Sequence, residues 1–159
     1  MILPQKQLFI KKSGIPEAGK GLFTKRFIAK GTRVIEYKGK TTTWKKVLQV
    51  ERETKILNKY LYYLNLNHVI DAKNYPNVLA RYANDAKGFC KGKGLLNNCK
   101  YVEDKGRVFI AAIKDIPAGA ELLISYGKEY WDILKKFMHH ASCIHFLNLG
   151  ADSWLIIME

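Results

Sequence analysis

The 159-residue chain is short of long apolar runs, of cysteine and of acidic residues. None of its apolar runs approaches the roughly 20 residues that a membrane-spanning helix requires. The first residues, MILPQKQLFIKK, contain an apolar run too short and too interrupted by lysine for a secretory signal peptide. Cys90, Cys99 and Cys143 are an odd, widely spaced set, which argues against a disulfide framework. We therefore predict a soluble intracellular protein, cytoplasmic in a prokaryote or nuclear in a eukaryotic or host cell.

The scarcity of acidic residues leaves a strong and uneven positive charge. The chain has 27 Lys and Arg against 14 Asp and Glu, a formal net charge of +13 at pH 7. Residues 1–60 carry 15 basic and 4 acidic residues, whereas residues 61–159 carry 12 and 10. The basic N-terminal third indicates a face for an anionic partner such as nucleic acid, although a merely solvated basic surface would have the same composition. The oligomeric state is unknown from these counts.

Hydrophobic residues make up 48% of the chain and aromatic residues 12%, which argues against disorder. No internal repeat and no linker is visible, so a single domain over 1–159 is expected. Short β-branched and aromatic runs bounded by glycine and lysine predict strands over most of the chain. The predicted strands are 7–12, 21–27, 33–39, 60–67, 68–72, 95–103, 107–115 and 121–127.

Apolar residues at helical spacing predict two helices, at 41–57 and at 128–140. The first begins with threonine N-cap candidates and directs Trp44, Val47 and Leu48 to one face. The predicted fold is therefore mostly β, with one inserted helix and one C-terminal helix.

Four short motifs are less ordinary than the rest of the chain: AGKGLF (18–23), ARYANDAKG (80–88), NNCKY (97–101) and GAELLISYGKEYW (119–131). Each has a structural explanation when it is taken alone. Glycine permits tight turns, Asn and Asp form Asx turns, and a lone cysteine is usually a small core residue.

Taken together and in this order, the motifs resemble those of the SET-domain protein lysine methyltransferases. ARYAND stands where the family has R-F-x-N-H, and GAELLISYG stands where it has G-E-E-L followed by tyrosine. The resemblance covers roughly residues 7–131, which would form the SET core, with 132–159 as a C-terminal helix and tail packing on it. It implies small β-sheets around a pseudoknot-like threaded crossing, a feature that is rare among proteins.

The resemblance implies methyl transfer from S-adenosylmethionine to a lysine ε-amine. Free lysine titrates at about 10.4, so the site must desolvate the amine to keep it neutral. Tyr126 matches the terminal-motif tyrosine and is expected to be the central catalytic residue, orienting the amine. Tyr101 and Tyr37 match the aromatic residues that line the lysine channel, where they would form a narrow apolar sleeve.

The resemblance also implies a set of cofactor-binding residues: Lys20, Gly21, Leu22, Arg81, Asn84, Asp85 and Trp131. Asn84 matches the asparagine that hydrogen-bonds the amino-acid end of the cofactor. Arg81 would either position its segment or assist binding. Residues 20–22 match the glycine turn that offers backbone groups to the cofactor, and Trp131 would either stack on the adenine or pack in the core.

Two positions depart from the family pattern. Asp85 stands where the family usually has histidine, and an ionised carboxylate accepts hydrogen bonds but cannot donate one. We expect this change to affect cofactor affinity more than the fold. Lys87 stands where many members have a zinc-binding cysteine, and the nearby set at 139–145 (His139, His140, Cys143, His145) lacks paired ligand spacing. No metal is therefore expected, and the resemblance is to compact members without a Cys-rich tail. The aromatic helix 128–138 and the apolar tail 146–159 would close the site instead.

The charge suggests a basic, nucleic-acid-associated, histone-like substrate, because the nucleic acid would supply the counter-charge for a chain of +13. Two alternatives stay open. A catalytically weak or inactive SET-like binding module is favoured by Asp85. A basic nucleic-acid-binding β domain is favoured by the N-terminal third, but does not explain NNCKY or GAELLISYG.

Overall fold

The computed structural model describes residues 2–54, 56, 58–88, 90–132 and 135. Within these residues the chain forms eight strands, an α-helix, two short 3-10 turns and a helical stretch at 128–132. The strands are β1 (Leu8–Lys12), β2 (Lys20–Thr24), β3 (Arg33–Tyr37), β4 (Lys40–Thr42), β5 (Leu61–Asn65), β6 (His68–Asp71), β7 (Cys99–Asp104) and β8 (Arg107–Ala112). The α-helix is α1 (Trp44–Thr54), and the 3-10 turns are Gln5–Gln7 and Leu79–Tyr82. The predicted mostly β fold with few helices is confirmed.

The strands are divided among three small antiparallel sheets, β1-β2, β3-β8-β7 and β4-β6-β5. In the central sheet, β7 and β8 form a hairpin that turns at Lys105 and Gly106. Both turn residues have positive φ, 50° and 75°, as a two-residue turn requires when its twist matches that of the strands. The core between the sheets is aliphatic, and its fully buried members include Leu22, Val34, Val69, Val108, Ile110, Ile116, Leu122 and Ile124.

The first predicted helix begins three residues later than expected, because residues 40–42 form β4 instead. Thr41 and Thr42 are β-branched and pair with Ile70 and Val69 of β6. The helix starts at Trp44, and the Thr43 hydroxyl accepts a hydrogen bond from the Lys46 backbone N–H at 3.3 Å, as an N-cap does.

The buried face of α1 is narrower than the spacing of its apolar residues predicts. Val47 is buried, whereas Leu48 is 41% exposed. Trp44 lies at the edge and contacts the Tyr63 ring edge-on, with 5.6 Å between centroids.

The segment predicted as the last strand, 121–127, does not join a sheet. It makes isolated bridges instead: Glu121 with Phe23, Leu123 with Asn84 and Ile124 with Cys99. The pairing partner changes every one or two residues because the segment lies between several chain segments rather than beside one strand. The strand predicted at 95–103 starts only at Cys99.

Residues 121–127, called the inserted segment below, are held by hydrogen bonds on both sides. The Ile124 N–H donates to the Asn84 carbonyl at 2.8 Å, and the Cys99 N–H donates to the Leu123 carbonyl at 2.9 Å. The Asn98 side-chain amide donates to the Glu121 carbonyl and accepts from the Leu123 N–H. The end of the segment is thereby fixed between residues 83–85 and 97–99, and it leads into a helical stretch at 128–132.

No helix in the described part of the chain is long and apolar enough to cross a membrane. The tail predicted at 132–159 lies outside the described residues, apart from positions 132 and 135.

Candidate active site

Tyr126, the predicted catalytic residue, lies at the end of the inserted segment and is fixed by two hydrogen bonds. Its hydroxyl donates to the Ala83 carbonyl at 2.8 Å, and its backbone N–H donates to Asp85 Oδ2 at 2.8 Å. Burial is the main cause that raises the pKa of Tyr126 well above its ordinary value. The phenol therefore stays neutral at physiological pH, which suits a group that orients a substrate and does not suit a general base.

The two predicted channel residues, Tyr37 and Tyr101, lie on β3 and β7, the strands that flank β8 in the central sheet, and their rings contact edge-on with 6.1 Å between centroids. Tyr62, in β5, completes the group, with its ring centroid 4.6 Å from that of Tyr101. The Tyr37 hydroxyl donates to the Tyr60 carbonyl, and the Tyr62 hydroxyl donates to Glu103 at 3.0 Å. Burial is the largest cause raising the pKa of each of the three rings.

The start of the C-terminal helical stretch adds two further rings to Tyr126. Tyr130 meets it edge-on at 5.0 Å, and Trp131 lies nearly parallel to it at 5.9 Å with 15° between the ring planes. Burial raises the pKa of Tyr130 to about 12. Neither Tyr130 nor Tyr62 was among the site residues predicted from the sequence. The helical spacing of Tyr130 and the strand position of Tyr62 gave no sign that Tyr130 would contact Tyr126 or that Tyr62 would contact Tyr37 and Tyr101.

Asn84 directly follows Ala83 and is fixed by its side-chain amide. Asn84 Nδ2 donates to the Lys20 carbonyl at 3.0 Å and to Glu121 Oε1 at 3.3 Å. Both amide hydrogens are thus directed into the protein, and the carbonyl oxygen is the remaining polar atom of the side chain. Gly21 and Leu22, which follow Lys20 in β2, are buried.

Glu121 is a functional candidate that the sequence reasoning missed. The residue is only 6% exposed, and its carboxylate accepts from the Ser13 hydroxyl at 2.6 Å and from the Gly14 N–H at 2.9 Å, besides Asn84. A Cβ placed on Gly21 would lie 2.2 Å from Glu121 Oε1. A glutamate in the otherwise apolar run AELLI was the available signal, because charged residues are rarely buried without partners.

Asp85 is buried, 4% exposed, and its carboxylate is surrounded by donors. Oδ1 accepts from the Lys87 N–H and from Asn97 Nδ2, and Oδ2 accepts from the Tyr126 N–H and from Trp131 Nε1, all at 2.8 Å. The inability of a carboxylate to donate is therefore no handicap at this position.

Arg81 contacts the backbone that follows β6 and the Tyr60 ring, and so positions the chain that leads into Asn84. Its Nη1 donates to the carbonyls of Ala72 and Lys73 at 3.0 and 2.9 Å, and its guanidinium lies 3.7 Å from the centroid of the Tyr60 ring. These contacts connect the end of β6 to the 3-10 turn that leads into Asn84, which favours the positioning role of the two that were predicted.

In the described ranges, no group of three or more His, Cys, Asp or Glu side chains is arranged to hold a metal ion. The set at 139–145 lies outside those ranges.

The sequence model of the SET domain matches residues 19–127, which span the β2 strand, the inserted segment and Tyr126. The chain belongs to the SET-domain family. Its resemblance to SET-domain methyltransferases is thereby confirmed.

Named relatives agree with this membership. The chain is 31% identical over 141 residues to the histone-lysine N-methyltransferase EZH2 of Chaetomium thermophilum, an alignment that covers 84% of this chain and 9% of that protein. It is 32% identical over 110 residues to the mouse PR domain zinc finger protein 14, covering 69% of this chain and 18% of that protein. The chain thus spans less than a fifth of the length of these relatives.

A solved structure supports the fold as well. The methyltransferase domain of human PR domain-containing protein 2 superposes with a TM-score of 0.55 and 25% sequence identity over 79% of each chain.

Proposed function

We propose that this SET-domain chain is a protein-lysine N-methyltransferase that uses S-adenosylmethionine and acts on a basic, nucleic-acid-associated, histone-like protein. The observation that carries the proposal is a pair of neighbouring tyrosine groups, Tyr37–Tyr62–Tyr101 and Tyr126–Tyr130. They are close enough that, after burial, Tyr101 is the next cause of the raised pKa of Tyr126, whose hydroxyl is fixed by the Ala83 carbonyl.

The tyrosine group suits a lysine side chain on its way to reaction. Rings of Tyr37, Tyr62 and Tyr101 offer apolar surface to the methylene stem, and burial holds their hydroxyls in the neutral form. An amine surrounded by such groups is desolvated, which lowers its pKa toward the neutral, nucleophilic form. Tyr126 and the Ala83 carbonyl would then orient the amine for in-line attack, the positioning that makes such a transfer efficient.

The residues around Asn84 fit the amino-acid end of S-adenosylmethionine. The Asn84 carbonyl oxygen is an acceptor for an ammonium group, since both amide hydrogens are used by Lys20 and Glu121. The buried Glu121 carboxylate adds negative charge behind it, which favours a cation. When bound, the cofactor supplies an electrophilic methyl group on sulfur. Asn84 and β2 residues 20–22 would hold it, and Trp131 would be near enough to Tyr126 to border the same site.

A basic substrate is supported by two features. The first 60 residues carry 15 of the 27 basic side chains, so a nucleic acid bound to the substrate would attract this chain. Glu103 accepts from the Tyr62 hydroxyl and is exposed, which places a carboxylate beside the tyrosine group where a basic residue flanking the target lysine would meet it.

Calorimetric titration of S-adenosylmethionine, combined with a transfer assay on histones and nucleosomes, tests the proposal. We expect micromolar binding that Asn84→Ala weakens at least tenfold. Tyr126→Phe should leave binding within threefold of wild type and reduce methyl transfer at least a hundredfold. Transfer to DNA-bound substrate should improve over the free peptide as salt is lowered.

Failure of the wild-type chain to bind the cofactor would favour the inactive SET-like binding module. Cofactor binding without a salt-dependent preference for the DNA-bound substrate would contradict only the proposed substrate class.

A further inference from the structure

The carboxylate of Asp85 has a donor set that a histidine could not satisfy. Four N–H groups point at it: two from the neighbouring loop, Lys87 N and Asn97 Nδ2, and two from the C-terminal side, Tyr126 N and Trp131 Nε1. A carboxylate has about four acceptor sites, whereas a neutral imidazole has one acceptor nitrogen and a donor. Histidine would therefore leave most of these partly buried N–H groups without an acceptor.

From this we infer that Asp85 is a positioning residue matched to Trp131: its Oδ2 atom holds the indole against the Tyr126 ring and so fixes the Tyr126 hydroxyl toward Ala83. This inference rests on the proposed function. Under this inference, Asp85 replaces the family histidine without disabling the site, because its neighbours in this chain supply the donors that a carboxylate accepts from.

The geometry around Trp131 shows why one hydrogen bond would matter. The indole lies nearly parallel to the Tyr126 ring, 15° between planes and 5.9 Å between centroids, and its N–H is held by Asp85. On its other edge, a Cβ on Gly88 would lie 2.7 Å from Trp131 Cη2. The indole is thus confined by a ring, a carboxylate and a backbone that leaves no room for a side chain.

The same carboxylate oxygen connects Trp131 to the backbone of Tyr126. Because Oδ2 accepts from both, loss of the carboxylate would remove one of the two hydrogen bonds of Tyr126, leaving only the bond from its hydroxyl to Ala83. Rotation of the indole would remove the parallel ring that packs against Tyr126. Asp85 also directly follows Asn84, so its position is shared by the tyrosine side and the proposed cofactor side of the site.

A double-mutant cycle with Asp85→Asn and Trp131→Phe tests the inference. Asn keeps the size but turns an NH2 group toward donors, and Phe keeps a ring but lacks the N–H. We expect each single variant to lower kcat at least tenfold while the Kd for S-adenosylmethionine changes less than threefold. The double variant should lose no more than about threefold beyond the worse single variant, because both remove the same contact. Asp85→His should be no better than Asp85→Asn.

Three results would overturn the inference. These are multiplicative losses in the double variant, a Trp131→Phe variant that weakens cofactor binding without lowering kcat, and an Asp85→His variant with wild-type kcat. Trp44→Phe is the matched control, since Trp44 lies in α1 and contacts Tyr63 of β5 rather than Tyr126. Combined with Asp85→Asn, it should give multiplicative effects on kcat.

A second measurement keeps the test independent of turnover. In the same four proteins, the change in the unfolding equilibrium constant caused by the double substitution should differ at least fivefold from the product of the two single changes. A double change equal to that product would overturn the inference. A wild-type chain without methyl transfer would instead contradict the proposed function while this coupling remained measurable. Should Asp85→Asn fail to fold, unchanged kcat in Trp131→Phe alone would be sufficient to refute the pairing.

Discussion

Replacing Gly21 by alanine should destabilise the chain through Glu121, 100 positions away in the sequence. Gly21 lies in β2, and a Cβ there would come within 2.2 Å of Glu121 Oε1 and 2.9 Å of its Cδ. The carboxylate is the end of a flexible side chain, so it would move rather than clash. Moving it breaks hydrogen bonds from Ser13, Gly14 and Asn84. Each such charge-assisted bond contributes about 1.5–3 kcal/mol, so loss of one or two predicts a decrease of about 2–4 kcal/mol in the free energy of unfolding.

Chemical denaturation followed by circular dichroism measures this change, and the corresponding fall in Tm is roughly 4–16 °C for a domain of this size. The decisive control is Gly21→Ala in a Glu121→Ala background. Once the carboxylate is gone, the new methyl has space and should cost about 1 kcal/mol or less, leaving only the contact with the Phe23 ring at 3.1 Å. A loss below about 0.5 kcal/mol in the wild-type background, or an equal loss in both backgrounds, would refute the reasoning.

Three further predictions concern stability and reactivity. Arg81→Ala should lower the free energy of unfolding by about 2–4 kcal/mol in a denaturation experiment, because two backbone carbonyls at the end of β6 lose a charged donor. A change under about 0.5 kcal/mol would contradict the positioning role of Arg81. Burial raises the pKa of the Cys99 thiol to about 12, whereas Cys90 is partly exposed. Iodoacetamide at about pH 8 should therefore label Cys90 well before Cys99, which peptide mass spectrometry would detect. Equal labelling rates in the folded chain would argue against the burial of Cys99. Burial also raises the pKa of Tyr101 and Tyr126 above their unfolded value of about 10, so the unfolded chain loses these protons at lower pH than the folded chain. Stability should therefore be steady through neutral pH and fall as the pH rises above about 10. A denaturation midpoint that stayed constant up to about pH 11 would be inconsistent with neutral buried phenols.

Much of the fold was predictable because alternating apolar residues identify strands locally. The same local reasoning was wrong at residues 40–42, where threonines that resemble a helix cap pair with β6 instead. It was also wrong at 121–127, since that segment bonds to residues 22, 84 and 99, and no local pattern encodes partners so far away.

The candidate site shows the same division between local and distant information. The family resemblance selects Tyr126 and Asn84, and the structure brings the Tyr126 hydroxyl onto the carbonyl of Ala83, the residue before Asn84. The partners that explain them were not predictable. Ser13 and Glu121 are 108 residues apart, and Asp85 receives donors from positions 12, 41 and 46 residues further along the chain. An isolated Asp after Asn gives no indication of that donor set.

The inserted segment has a consequence for the order in which the chain can be completed during synthesis. Residues 121–126 come near the end of the described chain, yet they supply the hydrogen bonds between residues 22, 84 and 99. A nascent chain that has emerged only as far as the end of β8 therefore holds both flanking segments without the residues that join them. Because contacts over such sequence distances are slow to form, we expect the last step of folding to create the site itself, and a fragment ending at residue 118 to protect few of its amide hydrogens from exchange.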